Sequence, residues 1–253
     1  MVKILWKQIE HLDIETREVD QCLDLLHTTP NLKKCIVLIS SSEPCQPHSP
    51  VQLLHLRSMI ISDDPTYLFD TLLLPKLHEI SIESWGTLWT SISQLTSLLS
   101  QCSFAKLSLQ LTNPLFDDEM IQILQTCPSL VQLDLRWHAS QCMTTSFFAQ
   151  FAYHRDPENS TTQQLVPMLH TMNIDYSGME FNIPDFANVI ESRIISNSKG
   201  PASDDITGLQ TVEICHRSPM PLHCFNSLIL SQLRQLRETG LEIRFSQGGR
   251  NIL

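Results

Sequence analysis

The stretch Gln125-Thr126-Cys127-Pro128-Ser129-Leu130-Val131-Gln132-Leu133-Asp134-Leu135-Arg136-Trp137 decides how this chain is read. Leu130, Leu133 and Leu135 stand at the spacing L-x-x-L-x-L. Leu133 and Leu135 alternate with polar Asp134 and Arg136, which is the period of a strand that buries one face. Pro128 has no N–H to donate and restricts the residue before it, so a preceding helix has to stop there.

Poorer copies of the triplet occupy the rest of the chain: Ile9/Leu12/Ile14, Leu32/Cys35/Val37, Leu56/Met59/Ile61, Leu77/Ile80/Ile82, Phe104/Leu107/Leu109, Leu169/Met172/Ile174 and Leu209/Val212/Ile214. A last strand, Leu241 to Phe245, lacks the first position, and its third position is read as Ile243. Successive third positions are 23, 24, 21, 27, 26, 39, 40 and 29 residues apart. The first five intervals fit a leucine-rich repeat of roughly 20–29 residues. Between the triplets lie amphipathic helices. Leu88, Ile92, Leu95, Leu98 and Cys102 share one face, as do Phe147, Phe148 and Phe151, then Phe186, Val189, Ile190 and Ile194. Another runs from Leu222 to Glu238 and stops at Gly240. Asp117-Asp118-Glu119 puts acids at a helix start, where the dipole favours them.

Three segments interrupt the rhythm. Ser40 to Pro50 replaces a helix by a loop. Two polar insertions, near 154–166 and 197–208, account for the 39- and 40-residue intervals. The triplets resume after each. The expected fold is therefore α/β: a leucine-rich-repeat solenoid, or horseshoe, with a single parallel sheet on the concave face and helices or loops on the convex face. Residues 1–253 form one irregular domain of about eight to nine repeats, each burying its apolar side against its neighbours. Met1 to Ile14 brings Ile4, Leu5, Trp6, Ile9 and Leu12 with no capping unit before them, and self-association through that end is expected unless Ile4 and Trp6 fold back to cover it.

Net charge is −10, with seventeen basic residues, which argues against nucleic acid. The eight cysteines are scattered in a chain large enough to need no staples, so reduced, buried thiols and a cytoplasmic or nuclear location are expected. The N-terminus does not read as a signal peptide, and no apolar run approaches the roughly 18 residues of a membrane span. Asn159-Ser160-Thr161 matches a glycosylation sequon by chance.

Chemistry is sparse. Cys215-His216 and His223-Cys224 lack the C-x-x-C or H-x₃-H spacing of structural zinc. No Gly-rich phosphate loop, G-x-S-x-G or H-E-x-x-H occurs. No cofactor, metal or catalytic residue is assigned, and the protein is not expected to be an enzyme. Strand alternation instead gives a concave face of eight acids (Asp13, Glu15, Glu79, Glu83, Asp134, Asp175, Glu213, Glu242) against four bases (Lys34, Lys106, Arg136, Arg244). Trp85, Trp137 and Tyr176 follow three third positions by two or three residues. They are either rim anchors for a partner beside Arg136, or rings tucked under the turns. The protein-binding set is Trp85, Trp137, Arg136, Tyr176, Glu79, Glu83, Asp134 and Asp175, with a basic protein or peptide as partner.

Proline precedes the triplet in Pro30-Asn31-Leu32, Pro75-Lys76-Leu77, Pro128-Ser129-Leu130 and Pro167-Met168-Leu169. With Cys127 before Pro128, and a late helix containing Glu191-Ser192-Arg193, the chain resembles the substrate-binding portion of fungal F-box/leucine-rich-repeat proteins. Three residues after each triplet such repeats carry Asn or Cys. In this chain stand Arg17, Ser40, Asp64, Trp85, Thr112, His138, Ser177 and Arg217, so the asparagine ladder is absent. No F-box segment is found, and the chain begins within the first repeat. The resemblance implies the substrate receptor of a Skp1–cullin–F-box ubiquitin ligase, binding Skp1 only if an F-box lies upstream. The alternatives are a small-molecule receptor on the same solenoid and a non-ligase scaffold.

Overall fold

In every triplet from Leu32 onward the second and third residues lie on the inward side of a strand and the first stands two residues ahead of it. The triplet residues are at most 6% exposed, down to complete burial at Leu130, Leu133 and Leu135. In the computed structural model, residues 5–39, 49–63, 66–84, 92–112, 115–137, 143–152, 165–177, 182–195, 208–217 and 227–253 are described. The loop from Ser40 and most of both polar insertions lie outside them. The chain packs as two compact units, Met1–Asn113 and Pro114–Leu253. Both are α/β with mostly parallel sheets.

The first unit contains β1 (His11–Thr16), α1 (Val19–Thr28), β2 (Lys34–Ile39), β3 (Val51–Gln52), β4 (Ser58–Asp63), α2 (Thr66–Phe69), β5 (Leu72–Leu73), β6 (Glu79–Ser84), α3 (Ile92–Ser100) and β7 (Lys106–Leu111). Its main sheet runs β1-β2-β4-β6-β7, all parallel. β3 and β5 form a separate parallel pair. The second unit contains α4 (Asp117–Gln125), β8 (Gln132–Trp137), α5 (Thr145–Phe151), β9 (Thr171–Tyr176), α6 (Ile183–Ile195), β10 (Thr211–His216), α7 (Ser227–Glu238), β11 (Glu242–Gln247) and β12 (Arg250–Asn251). Strands β8-β9-β10-β11 are parallel, and β12 returns antiparallel on β11. The Gly248-Gly249 turn between them has φ of +52° and +78°, which glycine adopts without steric cost. The short β12 covers the edge of β11 only at Ser246 and Gln247.

The register is unslipped from strand to strand. Leu133 sits beside Met172, Met172 beside Val212, and Val212 beside Ile243. Ile214 pairs with Phe245, so the third position of the last strand is Phe245 and not Ile243. The first position is then Gly240, at φ +100° just after α7, which confirms that no apolar residue fills it. The longer strands span six residues, and the sixth is buried at Thr16, Ile39, Ser84, Leu111, Trp137, Tyr176 and His216.

Backbone hydrogen bonds join neighbouring strands just ahead of their first residues. In the first unit a carbonyl just before one strand accepts two amides from the start of the neighbouring strand: Lys33 and Lys34 donate to Glu10, Arg57 and Ser58 to Lys33, His78 and Glu79 to Arg57, Ala105 and Lys106 to His78. In the second unit His170 and Thr171 donate to Val131, and Gln210 and Thr211 to His170. A turn precedes five of these strands, with the first triplet residue donating three back: Leu32 to Thr29, Leu56 to Leu53, Leu77 to Leu74, Leu130 to Cys127, Leu169 to Val166. The accepting residues are themselves buried, so a fourth core position precedes the triplet. Thr29, Thr126 and Thr239 hydroxyls, and the Cys127 thiol, donate to the last carbonyls of the helices before them, groups a helix cannot satisfy alone.

Leu107 and Leu133 are completely buried, one in each unit. Leu107→Ala and Leu133→Ala should each cost about 2–5 kcal/mol in urea unfolding, as large-to-small core changes do. A loss under about 0.5 kcal/mol would mean that these positions are not core.

Candidate functional site

The side chains alternating with the triplets form the open face of each sheet. In the first unit Glu79 is exposed beside Lys106 in the row His11, Lys34, Ser58, Glu79, Lys106. Glu83 is half-buried beside Gln110. Between those rows Ile36 and Ile60 lie half-buried as register partners. The rest of that middle row is Asp13, exposed, with Ser81 and Ser108.

The second unit has a cleft. Three rows cross β8 to β11: Gln132, Thr171, Thr211, Glu242; then Asp134, Asn173, Glu213, Arg244; then Arg136, Asp175, Cys215, Ser246. Asp134, Arg136, Asn173, Asp175, Glu213 and Cys215 line a cavity of about 220 Å³. Asp134 is only 8% exposed. Its carboxylate accepts from Gln132 Nε2 at 3.0 and 3.1 Å and from Asn173 Nδ2 at 2.5 Å. Asp175 takes a two-pronged pair from Arg217, with Nε at 2.8 Å and Nη2 at 2.6 Å. Those hydrogen bonds hold the Arg217 guanidinium above its usual pKa. Glu242 is bonded by Arg244 at 2.6 Å. Three of the four acids on this face are therefore engaged within the chain, so counting acids overstates the charge offered to a partner.

Two of the expected anchors are not on that face. Trp137 is 7% exposed and Tyr176 is 1% exposed. Both occupy the sixth strand position, in register with each other and with His216. By parity they point the same way as Leu135 and Ile174, into the core. The Tyr176 and His216 rings meet edge-on at 4.6 Å. Of the two readings of these aromatics, burial supports the packed one and corrects the rim-anchor reading. The signal for it is the strand alternation, carried two residues further. Trp85 lies outside the described residues, as do His223 and Cys224. No family model matches the chain, and no curated protein matches it. Among the described residues no group of three His, Cys, Asp or Glu could hold a metal, and no helix is long and apolar enough to cross a membrane.

In the second unit, helices are tied start to start. Asp117, first in α4, accepts from the Thr144 amide and hydroxyl and from the Phe147 amide at the start of α5. Asn182 donates to Thr145 and accepts from the Asp185 amide at the start of α6. Arg193 of α6 is 4% exposed. Its guanidinium donates to the Phe151, Leu165 and Val166 carbonyls at 2.6–3.2 Å and lies 4.3 Å over the Phe151 ring. It thereby joins the end of α5 to Leu165 and Val166, which lie ahead of β9. Burial lowers its pKa to about 10, still well above neutrality.

Cys22 and Cys35 are fully buried, and burial pushes both thiols up to about 12. Thiolate is the reactive form, so both should resist iodoacetamide at pH 8 in the folded chain and react in denaturant. Peptide mapping showing either alkylated under native conditions would contradict this packing.

Proposed function

We propose that the protein is a protein-interaction module built on leucine-rich repeats, with its partner held on the open sheet face of the second unit. The recurring strand, turn and carbonyl step supports the repeat reading. The observation that carries the binding reading is the cleft over β8, β9 and β10. At about 220 Å³ it is smaller than the roughly 300–1,000 Å³ of small-molecule sites. That favours a side chain of a bound protein over a free ligand, and places the small-molecule receptor second. The fungal F-box/leucine-rich-repeat resemblance makes the module a substrate receptor of a Skp1–cullin–F-box ligase, which holds a target and performs no chemistry itself.

A photo-crosslinking residue at Gln132, on the open face, should capture a protein from cell extract. The same residue at Gln122, exposed on α4, should not. Capture from Gln122 alone would sink the assignment of the face. Purified Skp1 should bind only a longer product carrying an F-box. Retention of Skp1 by residues 1–253 alone would contradict a receptor that depends on an upstream F-box.

A further inference from the structure

We propose that the cleft of the second unit selects a protein segment by a pair of opposite charges: an acidic residue for Arg136 and a basic residue for Glu213. This rests on the open face being the binding surface. Arg136 is exposed and Glu213 half-buried on that face, and neither has a hydrogen-bond or ion-pair partner among the described residues. Their neighbours are occupied: Asp134 by Gln132 and Asn173, Asp175 by Arg217. Arg136 has Asp175 as its register neighbour, yet Asp175 turns to Arg217 on the far side. The cleft therefore offers one cation and one anion at opposite corners.

Glu213 lies in the row of Asp134 and Asn173, two strands across from Arg136 and two residues back along the strand. Strand spacing of about 4.8 Å and a rise of about 3.3 Å per residue put the two backbone positions roughly 12 Å apart. An extended segment spans that distance in about four residues, and an even interval keeps both side chains on one face. The matching segment carries Asp or Glu and Lys or Arg four apart. Opposite charges set the register of the segment, and a segment with one sign alone leaves one corner unmatched.

The test is selection of twelve-residue peptides from a random display library on the full chain, with thermal melts confirming that each variant folds. The native chain should enrich peptides with an acid and a base four residues apart. R136A should lose selection for the acid alone, and E213Q for the base alone. A peptide enriched on the native chain should bind each variant roughly three- to tenfold more weakly. Enriched peptides that contact the open face, with charge patterns unmoved by either variant, would overturn the charge-pair proposal and leave the binding face standing. Enrichment of peptides that do not contact this face, or of none, would overturn both.

Discussion

Arg193→Met should destabilise the second unit by at least about 3 kcal/mol. The substitution removes the donors to three buried carbonyls, and each buried group left unpaired costs about 1–3 kcal/mol. Phe151 is the last residue of α5, so its carbonyl sits at the negative end of that helix, where a cation is favoured. Methionine keeps much of the apolar stem and so isolates the loss of the hydrogen bonds. Arg193→Lys should fall between the two. It retains charge, but a compact ammonium cannot reproduce the planar fork that reaches the Phe151, Leu165 and Val166 carbonyls together. Urea unfolding monitored by amide exchange in α5 and α6 gives the measurement. An Arg193→Met loss below about 1 kcal/mol would mean that these carbonyls find other partners.

Trp137→Ala should cost about 3–5 kcal/mol of stability, the range for deleting a buried aromatic. Arg136→Ala, one residue away and exposed, should stay within about 0.5 kcal/mol. The contrast matters because a rim anchor would behave the opposite way, losing partner affinity with little change in folding. A Trp137→Ala chain that melts like the native one would return Trp137 to the surface.

The strands are legible in the sequence because their signal is local. A triplet with period two says which side chains are inside whatever its neighbours do, and Leu133 and Met172 fall into register as the pattern requires. The limits of the pattern are harder to see. Trp137 and Tyr176 obey the same parity as Leu135 and Ile174, but two residues past the triplet, where aromatics at a strand end also suit a contact surface. Ile243 competes with Phe245 for the third position because Gly240 leaves the last strand without its first apolar mark. Arg193 carries a readable signal. It stands three residues after Ile190 and seven after Phe186, on the apolar face of α6, and a charge there requires partners. That those partners are carbonyls near residues 151 and 165 is a tertiary fact with no trace in local sequence. The same holds for the open face. Composition counts Asp134 and Asp175 as acids free for a partner, whereas Gln132, Asn173 and Arg217 consume them through contacts made on the folded sheet.

The binding face is tested most directly by amide hydrogen exchange of the full chain, alone and saturated with a peptide enriched on it. Slowed exchange should be confined, within the second unit, to strand segments 132–136, 171–175 and 211–215, with α4, α5 and α6 unchanged. Protection that falls on those helices and leaves the three strands unaffected would contradict the account.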